Sequence, residues 1–427
     1  MANSTPKIAI VGAGPAGLTL ARLLVVSEAN VDITLYERDK SRASRPDQGG
    51  CLDLHTDTGL AAIRKCGLWD EFEKYARYDG EEMIIADKNA TELVHMRSKG
   101  GGSPEIDRGS LKQILLDGVP ERYVRWDRRL KRVREDGMLE FEDQKELEGP
   151  FDLVVGADGA TSKVRERLSS VKPSYSGVSG YEFDIKEPAR TCPDLNKMVG
   201  RGGFLGTSDR KFLNTQRMGN DSLKVRSWFV CPEELTLEEV DKYGDEGIIE
   251  KILSRYEGWA PEMTNFLRQA DPNSLRRWVT YELPLDFTWD HKSGYTLLGD
   301  AASLAPPFSG EGVNKAMVDA MELAQLLQRS LDIYDDLTWD EAVQQYETQQ
   351  YPRAHKLMET TRYFVQSSFF GTAPIGLMTG LLKRKTGESS SVFIRALGTA
   401  PFVALLFTYF WIRQQIGWGI RKLWRRN

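Results

Sequence analysis

The sequence predicts an α/β chain: a discontinuous domain on a parallel sheet, an inserted domain on an antiparallel sheet, and a helical C-terminal region. Three observations predict it. Residues 7–11 are a short apolar β run, 12–17 are glycine-rich, 18–26 suit a helix, and 31–36 form a second strand. Such a βαβ unit belongs in a parallel sheet. From about residue 173 to 283, short alternating or aromatic runs such as 180–185 and 223–230 are split by Gly, Pro and Asn, as in an antiparallel sheet. A strand at 295–298 then runs into Gly299-Asp300, and a helix begins near Gly312 with apolar residues at helical spacing through Leu327.

The remaining elements follow in order. Residues 111–116 read as helix, and 139–141 and 151–155 as strands separated by a charged turn. A helical stretch at 235–256 interrupts the antiparallel region, and the chain reads as helix from Trp339 on. These assignments place one domain at 1–75, 103–172 and 286–345, a second at 76–102 and 173–285, and C-terminal helices at 346–427.

With 427 residues, 41% of them hydrophobic and 28% charged, the chain is long enough for two or three folded domains. A net charge of -5 argues against a nucleic-acid binder, which would carry a basic excess. Cys51, Cys66, Cys192 and Cys231 are far apart and form no C-x-x-C pair, so neither a disulfide framework nor a zinc site is expected. His55, His95, His291 and His355 are scattered and read as surface or structural residues. The polar residues 1–7 run straight into a strand without a secretory signal, so a reducing, cytoplasmic setting is expected.

Gly12-Ala13-Gly14-Pro15-Ala16-Gly17 matches G-x-G-x-x-G at a strand-to-helix turn. Gly12 permits the tight turn, Gly14 leaves room for a pyrophosphate, and Gly17 lets helix and strand pack closely. The helix N-terminus offers free N–H groups to phosphate oxygens. Glu37 closes the second strand, where a carboxylate can accept hydrogen bonds from ribose hydroxyls. The unit is therefore Rossmann-like and takes a dinucleotide, but the motif alone does not separate NAD from FAD.

Two later motifs choose the flavin. Asp158-Gly159 follows the strand at 151–155, and Gly299-Asp300 follows the strand at 295–298, with Gly310-Glu311-Gly312-Val313-Asn314 behind it. A strand-end carboxylate can hold sugar hydroxyls, and a glycine turn opening a helix can receive phosphate or a polarised flavin edge. Three strand-end sites spread over about 300 residues imply one extended ligand across a discontinuous domain.

On these residues, together with Tyr36-Glu37-Arg38-Asp39, Gly49-Gly50-Cys51-Leu52-Asp53-Leu54 and Ile106-Asp107-Arg108, the chain resembles the single-component FAD-dependent aromatic hydroxylases. Within them it is most similar to tetracycline-inactivating and fungal biosynthetic FAD monooxygenases. The resemblance covers roughly residues 7–330. It implies FAD as cofactor, with Glu37 on the adenosine ribose, Arg38 near the adenine, and Asp53, Arg108 and Asp158 contacting the cofactor. It places Asp300 at the ribityl-pyrophosphate region and Gly310, Gly312, Val313 and Asn314 at the isoalloxazine, with Arg45 facing NADPH. Two positions depart from the pattern: Ser303 stands where His is common, and Glu311 where many relatives have Gln.

The resemblance also implies a reaction. NADPH or NADH reduces the flavin, O2 adds to give a C4a-hydroperoxyflavin, and one oxygen passes to a small organic substrate as a hydroxylation or epoxidation. A place in fungal secondary metabolism is the implied setting. A substrate pocket is expected between flavin and antiparallel sheet, with Tyr181, Glu182, Phe183 and Arg217 as candidates. The implied oxygen transfer needs no strictly placed acid or base. The alternative is an FAD-dependent reductase or dehydrogenase of the same fold. A halogenase is disfavoured because no W-x-W-x-I-P segment is found.

Residues 396–412 carry no charge, Arg395 precedes them, and Arg413, Arg421, Lys422, Arg425 and Arg426 follow with Trp418 and Trp424 between. Seventeen helical residues span about 26 Å, short of a bilayer core of about 30 Å, and Pro401 weakens a straight helix. Three readings stay open: a helix lying on a membrane, a short tail anchor, or a segment packed on the body.

Overall fold

Strand Lys7–Val11 is apolar at four of its five positions and buried at all four, so it can sit only in the middle of a sheet covered on both faces. It does so in a computed structural model that describes residues 5–44, 49–97, 102–142, 144–371, 373, 374, 377, 408, 409 and 412. Its neighbours are Asp32–Tyr36 on one side and Leu153–Gly156 on the other, both parallel, with Ile8 opposite Ile33 and Leu153. Tyr295–Leu297 and Val124–Arg125 complete a five-stranded parallel sheet. Helices Pro15–Val26 and Gly312–Ser330 bury Leu18, Leu20, Met317 and Leu323 in one apolar cluster with Ile8, Ile10 and Leu35.

The chain divides into two units: residues 1–77, 102–174 and 281–361 form the first, and 78–101, 175–280 and 362–427 the second. The parallel sheet belongs to the first unit. The second is built on a seven-stranded sheet in which most pairs are antiparallel, while Gly203–Ser208 and Met83–Ala86 run parallel. Helices Leu235–Arg255 and Pro261–Arg268 cover one face of it, with Ile248, Ile252, Met263 and Phe266 packed on Tyr181, Phe183, Val225 and Leu213. The first helix bends at Gly244, whose φ of +64° leaves the helical region.

The expected class is met: a parallel sheet, an inserted antiparallel sheet and a C-terminal helix at Trp339–Val365. Arg45 lies outside the described residues, as does the apolar stretch 396–412 apart from Thr408, Tyr409 and Ile412. Among the described residues, no helix is long and apolar enough to cross a membrane.

Candidate active site

All strands of the parallel sheet end at the same edge, and the chain leaves that edge in opposite directions from two adjacent strands. This is the crevice where α/β sheets receive ligands. Strand-end hydrogen bonds hold the loops in register: Gly12 N donates to Tyr36 O (2.8 Å), Ala157 N to Val11 O (2.8 Å) and Leu298 N to Gly156 O (2.8 Å). Residues 12–17, 37–39, 157–159 and 299–301 are thereby gathered from four parts of the sequence.

The glycines divide by what surrounds them. A Cβ on Gly12 would lie 2.3 Å from Ala157 O, and one on Gly17 would lie 2.0 Å from Gly12 O. Those two glycines serve packing. Gly14 caps the Pro15–Val26 helix, and a Cβ there would meet nothing within 4 Å. Gly312, the first residue of the Gly312–Ser330 helix, is equally open. Two open glycines therefore stand at two helix N-termini, where the first turns present N–H groups that no helical carbonyl takes. The space and the donor set both fit an anionic, extended cofactor.

Polar side chains fix the loops around this space. Glu37 accepts Ala13 N–H at 2.7 Å through Oε2 and Asp39 N–H at 2.9 Å through Oε1, tying the second strand to the glycine loop. Asp158 accepts Lys163 N–H at 2.7 Å and so caps the turn that leads into the short helix Arg165–Leu168. Arg165, buried, donates to the carbonyls of Ala160 and Ala301 (3.1 Å to the latter), joining the second strand-end loop to the third. Asp300 is closely surrounded by protein yet its side chain remains open to solvent, as a carboxylate on a cleft floor would be. Burial pushes its carboxyl up, against the pull of Arg108, Lys315 and Arg165.

Behind Asp300 lies a charge network centred on the buried Asp319 and Lys315, which the sequence does not announce. Asp319 accepts the Gly299 N–H at 3.1 Å, Lys315 Nζ at 2.6 Å and the Arg353 guanidinium at 3.1 Å; Arg353 also pairs with Glu322 at 2.6 Å. The network anchors the Gly299–Ala301 turn to the long helix. Asn314, 1% exposed, is a second anchor. Its Oδ1 accepts the His55 and Gly59 N–H groups (3.0 and 3.2 Å) and the Thr58 hydroxyl (3.0 Å), and its Nδ2 donates to Asp53 O (2.8 Å). Its amide thus holds the 53–59 segment, and what it can offer a ligand is its first-turn N–H. His55, read from sequence as a surface or structural residue, sits between Asp53 (3.6 Å) and Glu311 (3.4 Å) at the same helix N-terminus.

Gly310 and Arg108 are exposed, Asp53 is half-buried, and Val313 is buried. A Cβ on Gly310 would stand 3.8 Å from Asp53 Oδ2, so this loop and the 51–53 strand are neighbours. Arg38 is exposed beyond Glu37.

In the second unit, strand alternation separates the four substrate candidates. Tyr181 and Phe183 are wholly buried on the helix-covered face, where Tyr181 donates to Glu239 at 2.9 Å. Arg217 lies on the same face and spends its guanidinium on Gly200 O (2.7 Å) and Asn196 Oδ1 (2.7 Å). Only Glu182 points the other way, into a row with Arg226 (2.6 Å) and Lys224 (3.8 Å). Asn214, Gln216, Arg226 and Trp278 on that side are half-buried rather than covered.

The family described as FAD binding domain matches residues 5–361. The chain belongs to this family. It is 33% identical over 419 residues to Monooxygenase asqM of Emericella nidulans, covering 83% of this chain and 94% of that one. Among solved structures, Klebsiella pneumoniae HpxO complexed with FAD and uric acid superposes with a TM-score of 0.72 at 18% identity, covering 93% of this chain and 97% of that one. Tetracycline destructase Tet(51) superposes with a TM-score of 0.63 at 19% identity over 89% and 96% of the two chains. The protein is an FAD-dependent monooxygenase, an oxidoreductase with NAD(P)H as the typical co-substrate of its family.

Proposed function

We propose that this monooxygenase hydroxylates or epoxidises a small organic substrate, with FAD held by the first unit and the substrate by the half-buried face of the second unit's sheet that the helices leave uncovered. One observation carries the cofactor half. The glycine loop, the 157–159 loop, the 299–301 turn and the sheet order that gathers them form one crevice with two open helix N-termini. In this reading Gly12, Gly14 and Gly17 shape the pyrophosphate turn, Glu37 and Arg38 hold the adenosine end, and Asp158 and Asp300 act along the sugar chain. Gly310, Gly312, Val313 and Asn314 supply backbone N–H groups to the flavin ring, with Asp53 and Arg108 beside them.

Bound FAD would supply the electron transfer and the activation of O2. The chain's own contribution is to orient both partners and exclude water. For the substrate, Asn214, Gln216 and Arg226 offer hydrogen bonds, and the half-buried Trp278, tilted against the buried Trp228 with ring centroids 6.3 Å apart, offers an aromatic surface. Such a surface suits a heteroaromatic compound with amide or carbonyl groups. The 33% identity to a fungal monooxygenase supports a place in secondary metabolism. The uncharged stretch 396–412 with its basic followers supports attachment of a cytoplasmic protein to a membrane surface.

The test is the absorbance of the purified protein, then NADPH addition in air with candidate heteroaromatic substrates. Flavin bands at roughly 370 and 450 nm, substrate-stimulated NADPH oxidation and a product heavier by one oxygen are expected. A colourless protein that cannot be reconstituted with FAD overturns the reading. A yellow protein that is reduced and never oxygenates selects the reductase alternative.

A further inference from the structure

His55 follows the short strand Cys51–Asp53, and its backbone N–H is fixed on Asn314 Oδ1 at 3.0 Å. The main chain at His55 is thereby fixed to the helix start. Nε2 lies 3.6 Å from Asp53 Oδ2, and Nδ1 lies 3.4 Å from Glu311 Oε2. Asp53 belongs to its own segment, while Glu311 caps the Gly312–Ser330 helix. The three side chains are partly open to solvent, so the cluster lines the crevice rather than the core. Two carboxylates beside one helix N-terminus are a costly arrangement if that terminus is to receive further negative charge. A cation between them changes the balance.

We propose that His55 is the counter-charge of the flavin-binding helix terminus: as an imidazolium between Asp53 and Glu311 it favours the reduced, anionic form of bound FAD over the neutral oxidised form. The proposal rests on the FAD reading given above. The two carboxylates push the His55 imidazole up to about 10, so it carries its charge at neutral pH. Asp53 and Glu311 are the groups that act on it. In this role His55 positions charge and need not touch the reacting atoms.

The experiment measures dissociation constants of oxidised and dithionite-reduced FAD under anaerobic conditions, for the wild type, His55→Gln, His55→Lys and Glu311→Gln. His55→Gln is expected to weaken reduced FAD about tenfold more than oxidised FAD, equivalent to a potential about 30 mV lower. His55→Lys, which keeps the charge, should hold the wild-type ratio. Glu311→Gln, which removes a negative charge and leaves Asp53 to pair with the imidazolium, should shift the ratio the opposite way. Equal weakening of both forms in His55→Gln would mean that the residue only braces the loop, and would overturn the proposal. So would an unchanged ratio in Glu311→Gln, which decides the matter even if the His55 variants lose FAD altogether. A wild type that binds neither form sinks the FAD reading itself; one that binds both with an insensitive ratio sinks only this inference.

Discussion

The carboxylate of Asp319 takes the backbone N–H of Gly299 at 3.1 Å, from a residue that is itself wholly buried in the long helix. A charged side chain therefore sets the position of the turn that presents Asp300. Asp319→Asn would leave the buried Lys315 ammonium without its carboxylate partner, while the half-buried Arg353 keeps Glu322. Breaking a buried pair in this way costs about 3–5 kcal/mol. Urea unfolding of the apoprotein should show that loss, and the FAD content of the purified variant should fall with it. A variant of wild-type stability would remove the network from the account.

Gly12 and Gly14 make opposite predictions from adjacent places. Gly12→Ala puts a Cβ 2.3 Å from a backbone carbonyl at a φ of +108°, so the apoprotein itself should be damaged. Gly14→Ala meets nothing within 4 Å in the protein. Its apo stability should stay within about 0.5 kcal/mol of wild type. Its FAD affinity should nevertheless drop by about tenfold or more, or about 1.4 kcal/mol, since the new methyl group would enter the space proposed for the cofactor. Calorimetry of apo and FAD-loaded protein separates the two effects.

Asp300→Ala is expected to purify with less FAD than wild type, and Arg108→Ala to do the same more mildly. Both can be read from the ratio of flavin to protein absorbance. A fully yellow, active Asp300→Ala protein would withdraw that residue from the cofactor site.

His55 also sets a pH dependence. Its folded value is raised from 6.5 to about 10, so its pairing stabilises the fold fully below pH 6.5. That contribution declines as pH rises and is gone above about pH 10. The Tm difference between wild type and His55→Gln apoprotein should therefore be constant in mild acid and shrink steadily through the alkaline range. A difference that grows with pH would contradict the assignment.

The two faces of the second unit's sheet can be told apart by kinetics. Gln216→Leu changes the half-buried face and should raise KM for the organic substrate about tenfold, with at most about 1 kcal/mol of stability lost from its contact with Arg226. Tyr181→Phe removes a buried hydrogen bond to Glu239 and should cost about 1 kcal/mol in stability with KM unchanged. The reverse pattern would place the substrate elsewhere.

The glycine loop, Glu37 and the Gly299-Asp300 turn were legible because strand, turn and helix follow one another in the chain, and glycine at fixed spacing has a steric cause. Asp319, Arg353 and His55 were not. Arg353 meets Asp319 from 34 residues away, and His55 meets Asn314 from 259 away, through residue types that are common on any surface. Tyr181, Glu182 and Phe183 illustrate a different limit. A period of two announces that one face differs from the other, but which face the helices cover depends on residues 235–268, far along the chain.

The discontinuity of the first unit has a bearing on how the protein is made. Strand Leu153–Gly156 is the partner of the first strand, and Tyr295–Leu297 is added only after the entire second-unit insertion. A nascent chain on the ribosome therefore carries a glycine loop and a 157–159 loop with one wall of the crevice missing until the Gly312–Ser330 helix has emerged. With the flavin in the crevice proposed above, its capture is a late event. The apolar flank of Pro15–Val26, which that helix finally covers, is exposed through most of translation, and scarcity of flavin should raise the fraction of newly made protein that is lost to chaperones and proteases.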